Sequence, residues 1–431
     1  MHTLAELRSG KLKGITRLQI SEGLSVFPEE IYALADTLEV LDLSHNRLSS
    51  LPSDLHRLKH LKIAFFSNNY FTEVPKVFKS CKNLYMLGFK ANAIEVFDED
   101  VLPLSISWLI LTDNKIKVLP KSLGKLHKLQ KCALAGNQIK AIPSEISECK
   151  NLELLRLSAN NIEEIPSALL NLPKLSWLAF SGNPCSGKQE FSLPQIEYVD
   201  LSVEELLGEG ASGEIYKAYS KELDKDVAFK LFKGSVTSDG YARDEMNAYM
   251  GTGEHENLIK VLAKLEADEK LGLILELIPK DYINLGLPPS LQTCTRDTFE
   301  EGSSFTLQAI FKIAKAMASA SAHLHDRGLM HGDLYAHNIL INDEDETYLG
   351  DFGAASFYDK GESLYEKIEV RAFGCLLDDL LQRCPETTEV KYKKLQLIVQ
   401  MCMDINVGNR PRFSNIATGL EGSDHSACFL R

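Results

Sequence analysis

The stretch MHGDLYAHNILI, residues 330–341, holds Asp333 and Asn338 at the spacing of a phosphoryl-transfer loop. Upstream, LLGEGASGEIYKAY carries Gly208, Gly210 and Gly213 as G-x-G-x-x-G between residues that alternate like two strands. A backbone without Cβ atoms can close over phosphate oxygens, although this pattern alone fits a dinucleotide loop or a plain hairpin as well. DVAFK then follows Gly213 at strand spacing and puts Lys230 within reach of α and β phosphates from a neighbouring strand. A buried lysine needs a counter-charge. YARDEMNAYM reads as an amphipathic helix in which Glu245 is the best partner for Lys230 and Asp244 the next.

Further strands and a helix must carry these groups. HENLIKVLAKL and LGLILELI read as two strands, the second leading to a segment that receives adenine through backbone groups near Glu276 and Leu277. From 304, SFTLQAIFKIAKAMASASAHLHDRG has apolar residues at helical spacing and delivers the chain to the loop of Asp333. Asp351 of DFG follows that loop, and NRPRF lies near the end. In order and spacing, residues 200–420 resemble the protein kinase family. The resemblance implies an α+β bilobal fold, with ATP and Mg²⁺ as cofactors. Asp333 would orient the acceptor hydroxyl and take its proton, while Asn338 and Asp351 hold Mg²⁺ against the phosphates. His331 reads as a prop for the loop.

Three features depart from that family. Gly332 replaces the arginine that in many kinases binds an activation-loop phosphate, so loop phosphorylation is not expected to be required. Tyr335 and His337 stand where serine/threonine or tyrosine kinases place a cation, and are read as supplying no firm one, which predicts slow turnover. The chain passes quickly from Gly353 to Glu369, which takes the usual Asp position of a DVWSFG helix; no A-P-E is present, and Arg410 lacks its usual Glu partner. The platform for peptide substrates is therefore largely missing. Ser356, Tyr358, Ser363 and Tyr365 read as ordinary solvated loop residues rather than phosphorylation sites.

The first half is a repeat array. TLEVLDLSHNRLSSLP recurs down the chain, with Asn46, Asn69, Asn92, Asn114, Asn137, Asn160 and Asn183 evenly spaced except for one step, from Asn92 to Asn114, that is shorter by a single position. GITRLQISEGLSVFP is a degenerate first copy, giving about eight. The pattern L-x-x-L-x-L-x-x-N resembles the leucine-rich repeat family, in which one strand per repeat stacks on its neighbours because no repeat buries its own apolar face. The asparagine can satisfy backbone groups where each strand turns away. On the outward side of the strands lies a second stripe: Val40, Ile63, Phe65, Met86, Trp108, Ile110, Leu154 and Trp177, which includes both tryptophans of the chain. Such a stripe predicts a concave surface that binds a protein partner, or one covered by the second domain.

At 44% hydrophobic and 25% charged, with net charge -13, the 431-residue chain reads as globular and unsuited to nucleic acid. No apolar run approaches a membrane span, and the N-terminus lacks the apolar core of a signal peptide. Nine scattered cysteines without C-x-x-C read as reduced thiols of a cytoplasmic protein, and Cys428 in CFLR as a poor prenylation site. The expectation is an α/β leucine-rich repeat solenoid over residues 1–196, followed over 197–431 by an α+β kinase-like domain with a shortened activation segment. The resemblance implies an ATP- and Mg²⁺-dependent protein kinase, serine/threonine by default, whose repeats recruit a protein substrate or regulator. Two other readings stand: a small-molecule phosphotransferase of the kinase-like superfamily, and a pseudokinase scaffold whose repeats bind a partner. The sequence leaves the oligomeric state open.

Overall fold

The computed structural model describes residues 1–421 except 188, 190, 192, 211, 234, 235, 238, 268 and 269; Cys428 lies outside the described residues. The chain divides into two compact units, Met1–Leu172 and Pro173–Arg431. This division differs from the expected boundary at 196/197, because the last repeat, the one around Asn183, falls in the second unit.

The first unit opens with helix α1 (Leu4–Arg8), closed by a Thr3/Glu6 capping box, and ends with the single turn α2 (Ser167–Leu170). Between them run strands β1 (Arg17–Gln19), β2 (Val40–Asp42), β3 (Ile63–Phe65), β4 (Met86–Gly88), β5 (Trp108–Ile110), β6 (Lys131–Ala133) and β7 (Leu154–Arg156). All seven are parallel and in repeat register, Val40 opposite Ile63 and Met86 opposite Trp108. Their middle residues, such as Leu41, Leu87, Leu109 and Cys132, are fully buried, as period-two alternation requires. The asparagines form a ladder. Asn69 Nδ2 donates to Leu43 O at 2.9 Å and Phe66 O at 3.1 Å, and its Oδ1 accepts from the Leu48 amide at 2.9 Å, so one side chain satisfies backbone groups of three turns. The prolines at 28, 75, 120 and 143 each introduce a short 3₁₀ turn that returns the chain to the next strand. Inside, Phe66, Phe71, Phe78 and Phe89 stack edge and face at 5.0–6.0 Å.

The second unit begins with the last repeat, whose strand is β8 (Trp177–Ala179). Residues 194–196 then run beside β12 (Val261–Ala267), where the Ile196 amide donates to Lys264 O and the Lys264 amide to Pro194 O. A five-stranded antiparallel sheet follows, in the order β12, β13 (Lys270–Glu276), β11 (Lys225–Phe232), β10 (Gly213–Ser220), β9 (Leu201–Glu209). Its core joins Ile196, Leu201, Ala218, Val227, Phe229, Ala263, Leu265 and Ile274. Helix α3 (Ala242–Gly251) lies between β11 and β12 in sequence and contacts β13. The remainder is helical: α4 (Leu307–Asp326), α5 (Leu364–Leu381), α6 (Val390–Cys402) and α7 (Phe413–Glu421). Thr306 caps α4 by accepting the Ala309 amide, and Ile310, Ile313, Met317 and Leu324 form its buried face. Short strands β14 (Ile283–Asn284), β15 (Leu329–Met330), β16 (Ile339–Ile341), β17 (Thr347–Leu349) and β18 (Ser356–Phe357) frame the segments on either side of α4 and up to α5.

Candidate active site

Lys230 sits in β11 among residues chosen for the sheet core, and its ammonium meets Glu245 from the first turn of α3 in a buried ion pair. The Tyr249 hydroxyl, one turn further along α3, accepts the Asp351 amide at 3.2 Å, and the Tyr249 ring lies 5.4 Å from Lys230 Nζ. Burial would lower the Lys230 ammonium, but Tyr249, Glu245 and Asp351 outweigh it and hold the group above its ordinary value, so it stays charged. Burial pushes the Glu245 carboxyl up to about 7, against the pull of Lys230. Phe352 is fully buried, edge-on to Tyr249 at 4.9 Å and 4.8 Å from the His331 ring, which leaves Asp351 exposed with φ 54°.

The loop between β15 and β16 is held from beneath. His331 accepts the Asp333 amide on Nδ1 at 3.2 Å, so its Nε2–H donates to Gly350 O at 2.9 Å. Glu369 of α5, fully buried, accepts from His325 Nε2 at 2.8 Å and from the His331 and Gly332 amides at 3.1 and 2.6 Å. Asn338 Nδ2 donates to Asp333 O at 2.9 Å and to Asp333 Oδ2 at 3.1 Å. That commits the amide nitrogen and turns Asn338 Oδ1 the other way. A Mg²⁺ ion takes one or two protein oxygens and completes its shell with phosphates and water, so Asn338 Oδ1 and the Asp351 carboxylate suit it as a pair. Among the described residues, no group of three His, Cys, Asp or Glu could hold a metal by itself.

The three glycines differ. A Cβ on Gly213 would come within 2.4 Å of Leu231 O in the paired strand, whereas one on Gly208 or Gly210 would meet no protein atom within 4 Å. Gly213 therefore serves the hairpin, whereas Gly208 and Gly210 border open space. Gly213→Ala should destabilise the fold by about 1–3 kcal/mol, whereas Gly210→Ala should leave the melting temperature unchanged and weaken nucleotide binding. Equal melting losses in thermal scans would contradict this division. Glu276 and Leu277 lie at the end of β13, Glu276 exposed and bonded through its amide to Lys260 O.

Two groups escape a reading of the sequence. Asp297 is buried and accepts the Ala336 amide at 2.5 Å and His337 Nδ1 at 2.7 Å. Burial lowers the His337 imidazole, but Asp297, Asp333 and Asp351 outweigh it and raise it above its ordinary value. His337 is thus a firmer cation than its residue type suggests. Tyr249 is the other, legible only as part of an amphipathic helix. No motif marks Asp297; its only signal is an acidic residue in TRD, well upstream of the loop.

The partner stripe is placed unevenly. Val40, Phe65, Trp108 and Ile110 are half-buried, while Ile63, Met86 and Leu154 are buried. Trp177 is 1% exposed, so it cannot anchor an outside partner. Its indole stacks on Tyr335 at 4.4 Å and 7°. Ser356 is fully buried and accepts the Phe180 amide, so it is no solvated loop residue.

Residues 201–410 match the protein kinase domain family, and residues 128–184 and 37–58 match leucine-rich repeat families. Leucine-rich repeats precede a protein kinase domain in this chain. Fibroblast growth factor receptor 1 of Xenopus laevis is 28% identical over 197 residues, 41% of this chain and 24% of that protein. L-type lectin-domain containing receptor kinases V.7 and V.5 of Arabidopsis thaliana are 27% and 28% identical over 230 and 209 residues, 50% and 46% of this chain and 33% and 29% of theirs. The chain thus spans about a quarter to a third of the length of these relatives. Among the described residues no helix is long and apolar enough to cross a membrane.

Proposed function

We propose that the kinase domain is catalytically competent, transferring the γ-phosphoryl group of ATP to a serine or threonine hydroxyl of a protein with Mg²⁺ as cofactor. The observation that supports it most is the buried Lys230–Glu245 pair assembled beside Asp351, with Asn338 bonded to Asp333. Lys230, kept charged, would grip the α and β phosphates beneath Gly208 and Gly210. Asp333, oriented by Asn338 and by the His331 prop, would take the acceptor proton. Mg²⁺, when bound, supplies charge neutralisation at the transferring phosphoryl. His337, held by Asp297, adds positive charge beside Asp333, which weakens the expectation of slow turnover.

The segment from Asp351 to the start of α5 at Leu364 is too short for a peptide platform, so a protein acceptor must dock elsewhere. The partly exposed Val40, Phe65, Trp108 and Ile110 are our candidate surface for that substrate or for a regulator. The same short segment favours a second reading, a small-molecule acceptor. We propose a cytoplasmic setting from the scattered cysteine spacing in the sequence.

Purified protein with γ-labelled ATP, Mg²⁺ and a generic protein acceptor tests the reading. Label in phosphoserine or phosphothreonine is the expected result, and label in phosphotyrosine changes the acceptor. Label on small alcohols alone supports the second reading, and nucleotide binding without transfer supports a scaffold.

A further inference from the structure

The last repeat does not end as the other repeats do. Trp177 not only stacks on Tyr335 but donates its Nε1–H to Leu334 O at 3.2 Å. The Tyr335 ring stands 5.0 Å from His337, which Asp297 holds on the far side. Residues 334–337, the link between Asp333 and Asn338, are therefore gripped at both ends of an aromatic row. Gly332 has φ +74°, and a Cβ there would stand 2.6 Å from both Leu178 O and Ala354 O. The glycine found where many kinases carry arginine is the residue that lets β8 lie against this loop.

The same segment touches the other moving parts of a kinase. The Phe180 amide donates to Ser356 Oγ at 2.9 Å, and the Phe180 ring stacks on Tyr365 at 5.0 Å, both in the stretch after DFG. Arg371 of α5 donates to Ser176 Oγ at 2.6 Å. Arg410, meeting carbonyls in place of a glutamate, donates to Pro173 O at 2.7 Å, to Lys367 O and to Asp404 O. Gly182, at φ +69°, runs so close to the start of α3 that a Cβ there would fall 2.4 Å from Asp244 Oδ2 and 3.0 Å from Tyr241. α3 is the helix that carries Glu245.

We propose that the last repeat, residues 173–186, is a built-in positioning element of the catalytic site: Trp177 fixes the loop of Asp333 and Asn338, Gly182 seats α3, and the two together do the work that activation-segment phosphorylation does in other kinases. This rests on the protein kinase reading above. Control of the site by order in a segment normally requires a new charged contact; here permanent packing of a covalently attached repeat supplies it. Trp177 is a positioning residue, since it acts through Tyr335 and Leu334.

The test uses the full chain. Trp177→Ala should lower kcat by about 10²-fold, the scale of a small misplacement of reacting groups, with KM for ATP nearly unchanged. Trp177→Phe, which keeps a stacking ring, should recover most of the loss. Amide hydrogen exchange over residues 333–338 should rise in Trp177→Ala and in Tyr335→Ala, which approaches the same contact from the loop side. Phosphatase treatment should leave wild-type turnover as it was. A folded Trp177→Ala with wild-type kcat and exchange, or a wild type that loses activity on dephosphorylation, overturns the proposal. Should Trp177→Ala fail to fold, Trp177→Phe and Tyr335→Ala decide it by the same readouts. A wild type that transfers no phosphate to any acceptor defeats the kinase reading instead, and the exchange measurement then judges the clamp alone.

Discussion

Replacing Asp333 with Asn lowers kcat by about 10²–10⁴-fold, the range a positioned general base contributes, and leaves nucleotide affinity nearly intact. Asn keeps the volume of the side chain and can still receive the Asn338 amide on its one remaining oxygen. What it removes, on the proposed mechanism, is the acceptor for the proton of the attacking hydroxyl. The loop itself should persist, because its shape is set by contacts that the change does not touch: Glu369 on the His331 and Gly332 amides, and Asp297 on Ala336. Steady-state kinetics at saturating ATP, paired with a fluorescent-nucleotide titration, read the two effects separately. An unchanged kcat would mean that the base lies elsewhere.

The second large effect is at Lys230. Lys230→Met should reduce kcat/KM for ATP by at least about 10²-fold, as loss of a group aimed at developing charge does. It should also cost stability, because Glu245 is left buried without its cation; breaking such a pair costs on the order of 3–5 kcal/mol. The cost should depend on pH, with a sign that follows from Glu245. Its folded carboxyl is raised from 4.5 to about 7, so the folded state binds this proton more tightly than the unfolded state does, and stability falls as pH rises through that interval. Without Lys230 to draw it down, the folded value rises further and the fall extends to higher pH. The melting deficit of Lys230→Met against wild type should therefore be small near about pH 5.5 and large near about pH 8.5. A deficit equal at both would show that Glu245 is not the buried charge that matters.

Much of this is readable in the chain because it is encoded locally. A fixed period with Asn and Leu at set offsets dictates stacked strands, and Asn69 closes its turn in the way the residue type suggests. The order and spacing of Lys230, Glu245, Asp333, Asn338 and Asp351 pick out the groups that we propose act together, and Lys230 does meet Glu245 and Asn338 does meet Asp333. What cannot be read is where one repeated element meets something unlike itself. Trp108 and Trp177 share a column of the repeat, yet one keeps part of its surface open beneath Lys131 and the other is sealed against Tyr335. Nothing in the period distinguishes the last copy. Gly332 and Tyr335 read in sequence as lost functions, an absent phosphate-binding arginine and an absent cation. In three dimensions both are accommodations, one making room for Leu178 O and the other offering a ring to Trp177. Asp297 is invisible for a different reason: its role is a pairing with a distant part of the sequence, and one aspartate in a loop has no period to announce it.

The proposed chemistry requires Lys230, Asn338 and Asp351 to converge on one metal-bound triphosphate. The direct measurement is a crystal of the full chain with a non-hydrolysable ATP analogue and Mn²⁺ in place of Mg²⁺, its metal located by anomalous scattering. The expected result is a metal peak within bonding distance of Asn338 Oδ1 and the Asp351 carboxylate, with the α and β phosphates against Lys230 and beneath Gly208 and Gly210. A metal peak elsewhere, or a nucleotide that leaves Lys230 paired only with Glu245 and out of reach of every phosphate, would contradict it.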